Sequence, residues 1–423
     1  GRWRPSTTPI GLGETNPTAR RSDRHDGPLR HRMIAFTFPG QGSQKPGMGE
    51  AWKDHPSWEL VEEASAVAGR DVAHLLLEAD ADDLRETRNA QLATYVTSLV
   101  VLDAVERLGV DPARVAGHSL GEYTALTAAG VLSFADGIRL VTERGEAMQV
   151  AAAERAGTMA AVVALDDDDV AVACARTDGD VWLANHNAPG QVVIAGAPEA
   201  IEAASAHAKE LGARRVIPLE VSGAFHTPFM ASARDRLRKA LAKADLRDAE
   251  LPVLANVDAH AHTSAADWEN LLAAQLCSPV RWRHILHALH DEGVSLFVEL
   301  GPGAALTGMA KRTLEGVTTL SVSVPDDLDK LLNTISEPRS ADVAHEAGEH
   351  LFVTERLVVS PGAGVFRSEP GVGAGTPVEA GTVVGHVGDL EVRSAFAGEL
   401  VDVLAVDGER LAPSEPVAWL RSA

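Results

Sequence analysis

Cysteine is nearly absent from this chain: Cys174 and Cys277 are the only two in 423 residues, far apart and outside any Cys-x-x-Cys or Cys/His spacing. That pattern gives no disulfide framework and no zinc site, and it fits a reducing cytoplasm. No apolar run approaches the ~18 residues needed to span a bilayer, and the N-terminal stretch lacks the apolar segment of a secretory signal. Basic residues are outnumbered, 38 Lys and Arg against 60 Asp and Glu, for a formal net charge of -22. A surface of that sign repels nucleic acid and anionic membranes, so neither is an expected partner. The sequence also lacks a Gly-rich phosphate loop, a nucleotide fingerprint and a cluster of metal ligands, so no bound cofactor and no metal are expected. Lysine disappears altogether after Lys330.

What is present is enough for two or three folded units. Apolar residues make up 45% and charged residues 23%, the balance of a globular protein, and the length exceeds one ordinary hydrophobic core. Residues 1–32 are rich in Arg, Pro, Gly and Thr without apolar periodicity, and read as a disordered extension ahead of Met33, the expected true start. Residues 33–336 alternate short β-rich runs with longer helical patterns, the signature of an α/β domain with a mainly parallel sheet. Strands are expected at Ile34 to Phe38, Arg114 to Gly117 and Leu296 to Leu300, and helices at Asn89 to Leu108, Gly121 to Ala129 and Phe134 to Ala152. Within 155–222 the texture changes to four short strands with helices between them, an inserted small α+β subdomain. Residues 337–349 read as a linker, and 350–423, rich in Gly, Pro and Val, as a small all-β sandwich. That last segment repeats itself: SPGAGVF at 360–366 resembles SAFAGEL at 394–400, an offset of about 34 residues.

The chemistry gathers at GHSLGE, residues 117–122, which follows a strand-like run and precedes an apolar helical pattern. In that context Ser119 occupies the nucleophile position of a GxSxG elbow. Flanking glycines permit the sharp turn, and amide N–H groups at the helix start can hold a developing oxyanion. A serine needs a base, and among sixteen histidines His226, in VSGAFHTPFM at 221–230, sits in a loop between a strand and a helix. His118, next to Ser119, reads as a pocket or structural residue that points away from the hydroxyl. Spacing alone does not bring His226 to Ser119, and Arg144 alone would read as a helix-face arginine.

FPGQGSQ at 38–44, TRNAQLA at 87–93, GHSLGE, ERGEAMQ at 143–149, NHNAPGQVVIAG at 185–196, GAFHTP at 223–228, ANVD at 255–258, SPVRW at 278–282 and ELGPG at 299–303 occur in one order. Over residues 33–335 the chain resembles the malonyl-CoA:acyl carrier protein transacylase family. The resemblance implies an α/β-hydrolase-like large domain with a ferredoxin-like insert. It implies that Ser119 attacks the malonyl thioester, His226 takes its proton, and the acyl-serine passes malonyl to the phosphopantetheine thiol of holo-acyl carrier protein. It assigns the oxyanion hole to the N–H groups of Gln41 and Leu120 and the malonyl carboxylate to Arg144, whose guanidinium offers two parallel donors. Gln91, His118 and Asn185 would line the substrate pocket, and the ring of Phe225 would crowd a methyl-branched acyl group. Asn256 would orient His226 through its backbone carbonyl, giving a dyad rather than a triad.

Residues 350–423 are similar to biotinyl and lipoyl carrier domains, whose attachment lysine would fall near Gly385 to Glu391. With no lysine there, neither biotin nor lipoate can be attached, and the module reads as a degenerate docking or oligomerisation domain. Three other readings remain at this stage: a serine hydrolase or thioesterase using the same elbow, a noncatalytic scaffold, and an acyltransferase of polyketide rather than fatty-acid synthesis. Against the first, the chain continues as apparent domain to about residue 336 after His226, and Arg144 favours a donor with a free carboxylate.

Overall fold

The computed structural model describes residues 32–336, 355–388, 390–394, 397–413 and 415–421. The expected N-terminal extension, apart from Arg32, and the expected linker at 337–349 lie outside the described residues.

In the first part, strands alternate with helices: β1 (Met33–Phe38), β2 (Arg114–Gly117), β3 (Thr158–Val163), β4 (Val181–Ala188), β5 (Gln191–Gly196), β6 (Arg215–Pro218), β7 (Val253–Leu254), β8 (Ala261–His262), β9 (Val294–Leu300) and β10 (Thr318–Val322). The large sheet runs β10-β9-β1-β2-β7-β8; it is parallel from β10 to β7, with β8 antiparallel at the edge. The strand period explains why β1 and β9 read as mostly apolar runs, interrupted only by the buried Thr37, Ser295 and Glu299. Ile34, Phe36 and Phe38 with Leu296, Val298 and Leu300 pack on one face, against helices Thr87–Glu106, Gly121–Ala128 and Phe134–Glu154. Ala35 and Phe297 pack on the other, against Trp282, Ile285 and Leu286 of helix Trp282–Asp291 and Leu306 of helix Ala305–Thr313. Both faces being covered, no polar alternation survives. Helix Thr87–Glu106 is buried nearly all round, its polar Asn89, Gln91, Thr94, Thr97 and Ser98 included, since it lies in the core. Helix Phe134–Glu154 starts where Ser133 accepts the Asp136 N–H at 3.0 Å.

The insert follows β–α–β–β–α–β order, with β3 to β6 antiparallel in the order β4-β5-β3-β6 and helices Asp167–Ala175 and Pro198–Glu210 on one face. The other face joins the main core through Met159, Ala184, Val193 and Ala195. Strand β4 is stitched to the large domain: Val280 N–H donates to Ala184 O, and His186 N–H to Val280 O, each at 2.9 Å.

Residues 355–421 form β11 (Glu355–Val359), β12 (Gly364–Ser368), β13 (Pro377–Val378), β14 (Val383–Val387), β15 (Leu390–Arg393), β16 (Gly398–Val403), β17 (Arg410–Leu411) and β18 (Pro416–Arg421). They make two antiparallel sheets, β11-β18-β16-β13 and β15-β14-β12-β17, around a core that includes Phe366, Val384, Leu400 and Leu420. Among the described residues no helix is long and apolar enough to cross a membrane.

Candidate active site

The elbow is a consequence of two glycines. A Cβ on Gly117 would lie 1.9 Å from the backbone carbon of Gly121, and one on Gly121 would lie 2.0 Å from Phe38 O. Only bare backbones let the helix at 121–128 start directly above β1 and β2. Between them the chain turns through Ser119 with φ +53, a left-handed conformation rare outside glycine, and this aims the hydroxyl away from the strand. His226 is held in the same way, at φ +60. Its loop is locked by the Thr227 hydroxyl, which donates to Ala224 O at 2.6 Å and accepts from Phe229 N–H at 3.2 Å.

These two strained residues meet. Ser119 Oγ is 2.8 Å from His226 Nε2, and His226 Nδ1 is 2.8 Å from the backbone oxygen of Gln275. A carbonyl only accepts, so Nδ1 carries the ring proton and the Nε2 lone pair faces the serine O–H. The site thereby holds a neutral imidazole in the tautomer of a general base. Burial first, and then the guanidinium of Arg144, pulls the His226 pKa from the ordinary 6.5 to about 3.

That shift makes a stability prediction. Between pH 6.5 and about 3 the unfolded chain binds a proton at this residue that the folded protein refuses. The contribution of the neutral ring is therefore complete above pH 6.5 and is lost as pH falls toward 3, by up to ~1.4 kcal/mol per pH unit. Urea unfolding of the parent chain and of His226→Gln between pH 7.5 and 4.5 should give a shallower acid slope in the variant, by about one proton; equal slopes would contradict the assignment.

Arg144, on helix Phe134–Glu154, is 0% exposed. One terminal nitrogen donates to Gln91 Oε1 at 2.5 Å; the other donates to Gln275 Oε1 at 2.9 Å and to Ser119 Oγ at 3.2 Å. Its guanidinium lies over the Tyr123 ring, 5.4 Å from the centroid, and its Nε makes no hydrogen bond among the described residues. Gln91 Nε2 in turn reaches Gln41 Oε1 at 3.4 Å. A cavity of about 210 Å³ is lined by Gln41, His118, Ser119, Asn185, Phe225 and His226, among others. His118 points its Nε2 to Asn187 Oδ1 at 2.9 Å, away from the serine hydroxyl. The N–H groups of Gln41 and Leu120 have no acceptor among the described residues. A larger cavity of about 440 Å³, lined by Asp167, Trp182, His186 and Cys277, also reaches His226 but does not have Ser119 on its walls.

Asn256 does not take the part expected of it. Following β7, it lies beside the elbow: its Oδ1 accepts Ser119 N–H at 2.7 Å, its Nδ2 donates to Gly117 O at 2.7 Å, and its backbone oxygen accepts from Arg281 N–H at 3.0 Å. It braces the turn, and the carbonyl that orients His226 belongs to Gln275. Sequence reasoning missed Gln275 and Glu122. Glu122 stands inside the GHSLGE motif, where a carboxylate in the first turn of a buried helix is itself a signal. Gln275 lies three residues ahead of SPVRW and 156 residues from Ser119, and no spacing marks it.

The chemistry on offer is acyl transfer through a serine ester, with a buried cation placed for an anionic acyl group. Comparisons with known proteins agree. The acyl transferase domain family matches residues 35–348. The malonyl CoA-acyl carrier protein transacylase of Bacillus subtilis (strain 168) is 42% identical over 309 residues, 72% of this chain and 98% of that protein. That of Escherichia coli (strain K12) is 41% identical over 298 residues, 69% of this chain and 96% of its own length. A crystal structure of an acyl carrier protein S-malonyltransferase from Vibrio cholerae superposes with a TM-score of 0.69 at 39% identity, covering 71% of this chain and 99% of that one. A malonyl-transacylase solved in complex with its type II PKS acyl-carrier protein gives the same TM-score at 37% identity, with the same coverage.

Proposed function

This chain belongs to the malonyl-CoA:acyl carrier protein transacylase family, and from that premise we infer that it moves malonyl from coenzyme A to the phosphopantetheine thiol of acyl carrier protein, for fatty-acid or polyketide synthesis. The single observation that carries the mechanism is the contact of Ser119 Oγ with His226 Nε2 beside the buried Arg144.

In the first half, the Ser119 O–H proton passes to Nε2 as Oγ attacks the thioester carbon. The oxyanion is received by the free N–H groups of Gln41 and Leu120, the second at the start of the helix at 121–128. When the tetrahedral adduct collapses, the C–S bond breaks, the coenzyme A sulfur takes the proton from His226, and malonyl remains on Ser119 as an ester. In the second half the carrier thiol gives its proton to His226, its sulfur attacks the ester, and Ser119 Oγ leaves with that proton taken back from His226. Arg144 receives the free carboxylate of malonyl through its guanidinium. Gln91 fixes the guanidinium, His118 and Asn185 form the pocket wall, and Phe225 excludes a methyl branch on the acyl group.

No cofactor is needed for these steps. The two thiols outside any disulfide are in keeping with a cytoplasmic enzyme. The all-β segment after residue 355 is, in this reading, a biotinyl/lipoyl-type module that has lost its attachment site, since no lysine follows Lys330, and it serves contact rather than chemistry.

Ping-pong transfer is tested by separation of the halves. Protein acylated with malonyl-CoA and freed of coenzyme A by gel filtration should load holo-carrier protein when the two are mixed. Release of malonate to water, with the carrier unloaded, would favour a thioesterase.

A further inference from the structure

Arg144 shares its burial with a carboxyl group that the transfer mechanism leaves unused. Glu122 is 0% exposed, in the first turn of the helix at 121–128. Its Oε1 accepts Asn256 N–H at 2.6 Å and its Oε2 accepts Gln275 Nε2 at 2.5 Å. The same Gln275 amide turns its oxygen to Arg144 at 2.9 Å and donates from Nε2 to Ser119 O at 2.8 Å, while its backbone oxygen takes His226 Nδ1. One residue therefore touches the acid, the arginine, the nucleophile's backbone and the base.

A bare carboxylate against a buried guanidinium would form a bidentate pair and occupy the donors that an acyl carboxylate needs. Burial pushes the Glu122 pKa up to about 8, against its hydrogen bonds and the pull of Arg144, and so favours the neutral acid; no direct hydrogen bond joins it to the guanidinium, and the Gln275 amide lies between, donating to one and accepting from the other. Direct contact with the guanidinium would favour the ionised carboxylate, and the intervening amide keeps Arg144 from being capped by it.

We propose that Gln275 is a specificity-determining positioning residue: its side-chain amide separates Glu122 from Arg144 and so keeps the guanidinium open to acyl groups that carry a carboxylate. The inference rests on the malonyl reading of Arg144. It concerns only the side chain, because the carbonyl that orients His226 is backbone and survives substitution.

The test is the kcat/KM for acylation of the full chain by malonyl-CoA and by acetyl-CoA, which lacks the carboxylate, in Gln275→Met, Gln275→Ala and Gln275→Ala combined with Glu122→Gln. Without the amide, Glu122 closes on Arg144. The ratio of the malonyl to the acetyl value should fall about 10- to 100-fold, the scale of a lost hydrogen bond to a charged group, whatever loss the two share through the Ser119 backbone contact. In the double variant the competing charge is gone, and the ratio should recover most of that loss. An unchanged ratio, or a double variant whose ratio is no better than that of Gln275→Ala, would each overturn the proposal. Failure of the underlying reading is separable, since it would appear as a parent chain that takes no malonyl from malonyl-CoA.

Discussion

Ser119→Ala abolishes the covalent malonyl adduct and lowers transfer to carrier protein by about 10⁴-fold or more. The size follows from the arrangement. Among the described residues Ser119 Oγ is the one hydroxyl at hydrogen-bond distance from both the basic nitrogen of His226 and the cation of Arg144, and removing a nucleophile that acts with its base as a unit costs nearly all of their joint contribution. Binding should survive, because Arg144, Gln91 and the cavity walls are untouched. The variant is therefore expected to bind malonyl-CoA in a calorimeter while turning over none. Ser119→Ala that still forms an adduct, or that transfers within tenfold of the parent, would place the nucleophile elsewhere.

Arg144→Ala is expected to invert acyl preference. A carboxylate taken into a buried site without its partner costs about 2–5 kcal/mol, so the malonyl kcat/KM should fall roughly 10²- to 10³-fold. Acetyl-CoA has no such group and loses nothing comparable. The truncation also removes the guanidinium that helps depress the His226 pKa and that donates to Ser119 Oγ, so a moderate fall in the acetyl rate is compatible with the account. The ratio is what decides. Equal losses for the two donors, measured by rapid quench of acyl-enzyme, would make Arg144 a structural arginine on its helix.

The residues that act were legible where chemistry imposes a local backbone pattern. The elbow needs bare backbone at 117 and 121, and those glycines stand beside Ser119 in the sequence. The strands at 34–38 and 114–117 were legible because a two-faced parallel sheet leaves short, mostly apolar runs without polar alternation. Helix ends were less so: the helix expected at Asn89 to Leu108 runs from Thr87 to Glu106, since nothing but tertiary packing sets its first turn. The support of the site was hidden for a different reason. Gln275 acts through one backbone oxygen and one amide, and neither leaves a spacing when the partners are 131 and 156 residues away. Asn256 was given the wrong role: its side-chain amide braces the elbow, and the carbonyl that orients His226 belongs to Gln275, which ANVD does not mark.

The central claim is that the acyl group is carried on Ser119. Brief exposure of the full chain to malonyl-CoA, acid quench, protease digestion and mass spectrometry of the peptides tests it directly. The account predicts one malonyl adduct, on the peptide containing GHSLGE and assigned by fragmentation to Ser119, that disappears when holo-carrier protein is added before the quench. A malonyl group found on another residue, or none at all while carrier protein is still loaded, would contradict it.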